Sequence, residues 1–366
     1  MITGYIEGYY GVELSWKERD SIISKLHQVG CNTYFYCPKE DPYHRVRWKD
    51  DYPIDWIEDF KKFKSNADSA GIDIIFGISP GASLELKDFE HLERKIGIFK
   101  ELSIENFCIL FDDIPKEKEQ FSLHKEVLEL CLEKFPNINF SCVPSQYCKY
   151  MVENSNNSYL AELDKVDTSI PFFWTGNQVI TSNYSDNNID SWKELFREDR
   201  DLIIWDNTFA NDYCVPKIVM QNFDGFFSKD DKKVSGFLLN ASGIELIDLI
   251  AIEILDNALK ERQIMLDDIL KDRGFPKELI NLSHFFKINI SSSFSDDEKK
   301  DLDFLLWNWN GKIKKFFYPY LHQLNQIFNE TDKHEINGLK KRFRICLLYT
   351  SPSPRDRTRS RMPSSA

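Results

Sequence analysis

Eight short apolar, β-favouring segments recur along the chain, and helical patterns fall between most of them. The segments run from Ile2 to Ile6, Thr33 to Tyr36, Ile72 to Gly77, Phe107 to Phe111, Ile138 to Val143, Ile170 to Trp174, Leu202 to Trp205 and Gly236 to Leu239. Their starts lie about thirty to forty residues apart, the length of one strand and helix in a parallel barrel of roughly 250 residues. The fold class is therefore expected to be α/β, a (β/α)8 TIM barrel. Ile22, Ile23, Leu26 and Val29 repeat with helical spacing, as do Ile57, Phe60, Phe63, Ala67 and Ala70, then Phe89, Leu92, Ile96 and Phe99, and after the eighth strand Leu246, Leu249, Ile250 and Ile254. Ser155 to Lys165 and Ser182 to Asp190 are rich in Asn, Ser and Asp, so loops are expected to replace part of the helix there. The Gly-rich stretch from Gly4 to Gly11 lacks the spacing of a dinucleotide-binding turn, which removes the doubly wound folds.

The strand signal stops near Gln263. Three helical stripes follow: Leu266, Ile269 and Leu270; Leu302, Leu305, Leu306 and Trp309; Phe317, Leu321, Leu324 and Phe328. Ser295 is placed to cap a helix from Asp296, with Glu298 at the reciprocal capping position. From Cys346 the chain turns basic and rich in Pro and Ser, and it reads as non-native sequence, with a disordered basic arm as the alternative. The expected organisation is thus a (β/α)8 barrel over 1–262, a helical domain over 263–345 that the tail cuts short, and a tail over 346–366.

Composition narrows the classes of function. With 42% hydrophobic and 14% aromatic residues the 366-residue chain has ample core. A net charge of −12 disfavours a sequence-independent grip on nucleic acid or on an anionic membrane. No window approaches the ~18 consecutive apolar residues of a membrane span, and no basic and apolar leader follows Met1, so a cytoplasmic protein is expected. The eight cysteines contain no C-x-x-C pair and read as buried free thiols; no metal site is expected from them.

The segment Phe107-Cys108-Ile109-Leu110-Phe111-Asp112-Asp113-Ile114-Pro115 ends an apolar strand at two adjacent carboxylates. In a barrel, the carboxyl ends of the strands form the mouth that carries chemistry. An isolated Asp-Asp there is more simply a polar turn, with Asp113 as a cap. The other strand ends change that balance. They carry Glu7-Gly8-Tyr9-Tyr10-Gly11, Cys37-Pro38-Lys39-Glu40-Asp41, Ser79-Pro80-Gly81, Pro144-Ser145-Gln146-Tyr147, Trp174-Thr175-Gly176-Asn177, Trp205-Asp206-Asn207 with Asn211-Asp212-Tyr213, and Asn240-Ala241-Ser242. Each could be a turn, a cap or core. Converging on one mouth, they offer carboxylates, amides, a lysine and tryptophan faces, which suit the hydroxyl edges and C–H faces of a sugar.

On these residues the chain resembles glycoside hydrolase family 84, the β-N-acetylglucosaminidases that include O-GlcNAcase. The matching segments are Gly4-Tyr5-Ile6-Glu7-Gly8-Tyr9-Tyr10-Gly11, Asn32 through Asp41, Leu110-Phe111-Asp112-Asp113-Ile114, Trp174-Thr175-Gly176, and Trp205-Asp206-Asn207 through Asn211-Asp212-Tyr213. Tyr9, Cys37, Glu40 and Ala241 depart from the residues common in the family. The resemblance implies removal of terminal β-linked N-acetylglucosamine from a glycoprotein or glycan by a retaining, substrate-assisted route without cofactor or metal. It implies Asp112 and Asp113 as the catalytic pair, with Asp112 supporting the acetamido group and Asp113 as acid and base. It further implies Gly8, Lys39, Tyr147, Val179, Trp205, Asn207, Asp212 and Asn240 as the substrate-binding set. A sugar-binding barrel without turnover, an endo-acting hyaluronan-type glycosidase and a metal-dependent hydrolase are the competing readings.

Overall fold

The computed structural model describes residues 1–115, 120–155, 158–227, 233–288 and 295–331. Eight parallel strands close into a barrel in chain order: β1 (Ile2–Glu7), β2 (Thr33–Tyr36), β3 (Asp73–Ile78), β4 (Asn106–Leu110), β5 (Asn139–Val143), β6 (Phe172–Trp174), β7 (Leu202–Asp206) and β8 (Gly236–Asn240). The closure is made by β1 on β8, where Ile2 faces Gly236 and Ile6 faces Asn240. β6 is shorter than the expected Ile170 to Trp174 because Pro171 has no N–H to give the ladder.

Alternation along the strands divides the apolar residues into two sets. Ile6, Phe35, Cys37, Ile75, Cys108, Leu110, Val143, Phe173, Ile203, Trp205 and Leu238 fill the barrel interior. Their neighbours, among them Tyr5, Tyr34, Tyr36, Phe76, Phe107, Phe172, Trp174 and Phe237, face outward and pack under the helices. The first half is covered by α1 (Trp16–Val29), α2 (Ile54–Ser69), α3 (Phe89–Glu101) and α4 (Phe121–Lys134). α1 begins where Ser15 and Glu18 form a reciprocal capping box and ends at Gly30, whose φ of 80° only glycine adopts readily. Its buried stripe is Ile22, Ile23, Leu26 and Val29, each stabilising the fold by about 1.5–3 kcal/mol relative to an exposed side chain. In the next layer, the Phe76 and Phe99 rings stack at 3.7 Å.

The second half is looser, as the polar composition of its connections predicts. α5 (Lys149–Glu153), α6 (Tyr159–Leu163) and α7 (Asp186–Lys193) are short, and among the described residues no helix joins β7 to β8. After β8 comes α8 (Glu245–Leu259), then a helical region of α9 (Leu266–Asp272), α10 (Lys277–Asn281), α11 (Asp296–Asp303) and α12 (Lys314–Thr331). Ser295 caps α11 with Glu298 in the capping box. Leu266, Ile269, Leu270, Phe285, Phe286, Phe317 and Leu321 join the same apolar cluster as the outer barrel layer. Polar ties reinforce the contact: Met220 N–H donates to Phe286 O at 2.9 Å, and Lys217 Nζ donates to Ile288 O at 2.8 Å.

Residues 291–294 and the tail from Cys346 lie outside the described residues. No helix among the described residues is long and apolar enough to cross a membrane. Among the described residues, Cys31, Cys37, Cys108, Cys131, Cys142 and Cys148 are buried free thiols, and Cys346 lies outside the described residues.

Candidate active site

The acid pair is placed by the last residues of β4. Leu110 points into the barrel and Phe111 points out, stacking on the His124 imidazole at 4.0 Å. Phe111 is pinned at both backbone ends, its N–H donating to Val143 O at 2.9 Å and its O accepting from Ser145 Oγ at 2.8 Å. Asp113 follows in the left-handed region at φ 55°, a conformation that aspartate tolerates better than most residues. Both carboxylates are buried.

Lys39, from the loop after β2, lies between the acids. Its ammonium bonds Asp112 Oδ2 and stands 4.0 Å from Asp113 Oδ2. Burial acts against its charge, but Asp112 and then Asp113 outweigh burial and hold its pKa above the ordinary lysine value. Asp112 Oδ1 is buried without a hydrogen-bond partner. Asp113 is held differently. Its Oδ2 accepts from Tyr10 at 2.6 Å and its Oδ1 from Tyr147 at 3.2 Å. Burial, and next the Asp113 charge, push both phenols well above their ordinary range, so both remain neutral donors.

The opposite side of the mouth is built from amides. Trp205 Nε1 and Asn240 Nδ2 both donate to Asn207 Oδ1 at 2.9 Å, Asn207 Nδ2 donates to Val179 O at 2.8 Å, and Asn240 Oδ1 accepts from Gly8 N–H at 3.0 Å. Lys39 Nζ lies 5.9 Å from the Trp205 ring centroid, which joins the two halves. Asp212 Oδ2 accepts from Tyr10 N–H at 2.9 Å. Asp112, Asp113, Gly8, Lys39, Tyr147, Val179, Trp205, Asn207, Asp212 and Asn240 therefore occupy one connected network.

Other strand-end residues do not join it. Trp174 faces the helix layer, 5.1 Å from Phe196. Glu7 turns outward to Arg19 at 2.9 Å and Tyr34 at 2.6 Å. Asp206 turns outward to Tyr184 at 2.6 Å, Asp41 accepts from Tyr36 and Tyr52 at 2.8 Å, and Asn177 accepts from Trp192 at 2.7 Å. Glu40 is exposed. Within a strand the next residue along points the other way, so a polar run there delivers alternate members to the mouth; Asp112 and Asp113 both reach it because Asp113 has left the strand in the left-handed conformation. Two residues went unassigned in the sequence: the Tyr10 hydroxyl and Arg45, whose guanidinium donates to it at 2.6 Å. Tyr10 stands two positions past Gly8, but nothing in the order of residues marks Arg45. Among the described residues no three His, Cys, Asp or Glu side chains are grouped to hold a metal ion.

A family profile described as beta-N-acetylglucosaminidase, NAGidase, matches residues 3–261. The chain is similar to protein O-GlcNAcase of Mus musculus and of Rattus norvegicus, in each case 28% identical over 256 residues. That match covers 65% of this chain and 28% of either relative, so the chain spans less than a third of their length. Among solved structures, CpGH84B superposes with a TM-score of 0.70 at 23% identity, covering 99% of this chain and 70% of that one. A Thermobaculum terrenum O-GlcNAc hydrolase mutant gives 0.75 at 21% identity, covering 95% and 87%. These two likenesses carry the barrel and its helical extension; the profile, spanning all eight strands, carries the family. The chain belongs to the NAGidase family of β-N-acetylglucosaminidases, glycoside hydrolase family 84.

Proposed function

We propose that the chain hydrolyses terminal β-linked N-acetylglucosamine with retention, the 2-acetamido oxygen of the sugar serving as the nucleophile. The observation that carries this reading is the unequal treatment of the two neighbouring acids. Asp112 is paired with Lys39 and keeps one buried oxygen without a partner, while Asp113 is held by two phenols. Retaining glycosidases that use an enzyme nucleophile set two carboxylates about 5–5.5 Å apart on either side of the anomeric carbon. Consecutive residues at one strand end are poorly placed to straddle it. An internal nucleophile removes the need.

In this reading Asp112 accepts the acetamido N–H at Oδ1 and supports the charge that develops as the amide oxygen attacks C1. Asp113 gives its proton to the leaving oxygen as the glycosidic bond breaks and an oxazolinium ion forms, its N–H still held by Asp112. Asp113 then takes a proton from water, which opens the ring at C1 and restores the acetamide. Gly8, Lys39, Asn207, Asp212 and Asn240 hold the acetamido group and hydroxyls, Tyr147 stands near the acetamido oxygen, and Val179 and Trp205 line the sugar. No cofactor enters either step.

The test is turnover of two N-acetylglucosaminides, one with an activated aryl leaving group and one with an alkyl or peptide serine. Asp113→Asn is expected to lose about 10²–10⁴-fold on the poor leaving group and far less on the aryl glycoside. Asp112→Asn is expected to damage both. Equal loss on both substrates in Asp113→Asn, or near-normal rates in Asp112→Asn, would refute the roles. An O-GlcNAc peptide, a chito-oligosaccharide and a hyaluronan fragment compared side by side identify the aglycone.

A further inference from the structure

We infer that Arg45, acting through the Tyr10 hydroxyl, is a positioning residue that fixes which oxygen of Asp113 carries the catalytic proton. The inference rests on the assignment of Asp113 as the acid. Its starting point is the direction of two hydrogen bonds. Arg45 donates to the Tyr10 oxygen at 2.6 Å, and Tyr10 donates to Asp113 Oδ2 at 2.6 Å. A guanidinium can only donate and does not lose its proton in proteins. The single Tyr10 hydrogen therefore has no acceptor in Arg45 and is turned onto Asp113, making Oδ2 an obligate acceptor. Lys39 approaches the same oxygen, at 4.0 Å. Negative charge is thus favoured at Oδ2, and the proton of the acid form belongs on Oδ1.

The partner of Oδ1 is suited to give way. Tyr147 reaches it at 3.2 Å, the longer of the two phenol contacts, and its hydroxyl can rotate to accept or to bond substrate. When Oδ1 releases its proton to the leaving oxygen, the O–H bond breaks, a new O–H bond forms on the aglycone, and the pair left on the carboxylate is met at Oδ2 by a phenol already polarised by Arg45. The charged and titratable groups facing Asp113 are Asp112, Lys39, Tyr10 and Tyr147, with Arg45 behind Tyr10.

Both members of the relay are held from behind. Tyr10 N–H is bonded to Asp212 at 2.9 Å. Arg45 follows His44, whose backbone N–H is bonded to Asp41 at 3.2 Å, whose backbone O accepts from Ser79 N–H at 3.0 Å, and whose ring Nδ1 meets Gly77 O at 3.0 Å. Lys95 Nζ braces the same loop through Tyr43 O at 2.7 Å and Asp50 O at 2.9 Å. A loop so fixed places a rigid donor rather than a freely sampling surface arginine.

The experiment compares wild type, Tyr10→Phe, Arg45→Met, Arg45→Lys and the Tyr10→Phe/Arg45→Met double variant on the same pair of substrates, across pH. Tyr10→Phe is expected to lower kcat on the poor leaving group roughly tenfold or more with little change in KM, and to move the alkaline limb of the profile upward by about one pH unit. The limb moves upward because the carboxylate form loses a donor, so the acid form persists to higher pH. Arg45→Met gives the same changes in smaller degree, Arg45→Lys restores part of them, and Arg45→Met adds nothing once Tyr10 is Phe. Additive losses, or an unmoved limb together with an unchanged preference between leaving groups, overturn the relay. If Asp113→Asn loses both substrates equally, the acid assignment fails and the relay fails with it; if that variant behaves as an acid variant and the Tyr10 series does not, the relay alone is wrong.

Discussion

The Trp205 indole lies so close to the backbone of Gly8 that a Cβ added there would come within 2.5 Å of the ring. The loop leaving β1 meets a side chain from β7 at this point, and the same indole lies 5.9 Å from the Lys39 ammonium and bonds Asn207. Gly8→Ala is therefore expected to push Trp205 off its seat. Overpacking of this kind costs about 1–3 kcal/mol, and if Trp205 lines the sugar as proposed, a displacement of the ring by ~1 Å is expected to lower turnover up to about a hundredfold. Unfolding midpoints and steady-state kinetics check both; an alanine variant with wild-type activity contradicts the role proposed for Trp205.

Lys39 separates pairing from catalysis. Lys39→Met leaves Asp112 buried without its ammonium and is expected to cost about 3–5 kcal/mol of stability as well as activity. Adding Asp112→Leu removes the stranded carboxylate, so the double variant is expected to regain much of the stability and none of the activity. Denaturant unfolding of the two variants, read beside an aryl glycoside assay, checks the prediction. Recovery of turnover in the double variant contradicts the role given to Asp112.

Arg19 and Glu7 form a buried pair outside the mouth, at 2.8 and 2.9 Å, with Tyr34 completing the carboxylate. Arg19→Met strands that carboxylate between β1 and α1, with an expected loss of about 3–5 kcal/mol. Lysine cannot reproduce the two-pronged contact, so Arg19→Lys recovers only part of it. Catalytic constants of the folded fraction are expected to stay near wild type, because Glu7 faces away from the barrel mouth.

Asp248 supplies a pH signature of stability. Burial is the largest influence and lifts its pKa from 3.8 to about 7, against the lowering effect of donors from Ser242 and Tyr5. The folded chain then keeps a proton that the unfolded chain has released. The contribution is full below 3.8 and is lost as pH rises through about 7, with a slope of about 1.4 kcal/mol per pH unit in that window. Asp206, lifted by burial to about 6, acts in the same sense over a narrower window. Unfolding curves from about pH 4 to about pH 8 are expected to fall more steeply for wild type than for Asp248→Asn; parallel curves would exclude the assignment.

The barrel was legible because its strands are short apolar runs at regular intervals and its first helices carry clean buried stripes. The limits of β2 are those read from the sequence, and β4 is shifted by a single residue, starting at Asn106. The mouth was legible only in part. Asp112, Lys39 and Asn207 were placed by their positions after strands, yet Trp174, Glu7 and Asp206 occupy similar positions and face the helices. One step of alternation decides the difference, and a strand end frays too variably for the count to be made from residue order. Arg45 was invisible for another reason: its meaning lies in Tyr10, 35 residues earlier and on the neighbouring strand's loop.

The apolar cluster that runs without a break from the barrel's outer layer into α9, α10 and α12 has a practical consequence. A recombinant fragment ending at Arg262 would present to water the surfaces now covered by Leu266, Leu270, Phe285 and Phe286. Such a fragment is expected to aggregate or to need detergent. The smallest piece worth expressing therefore extends through α12.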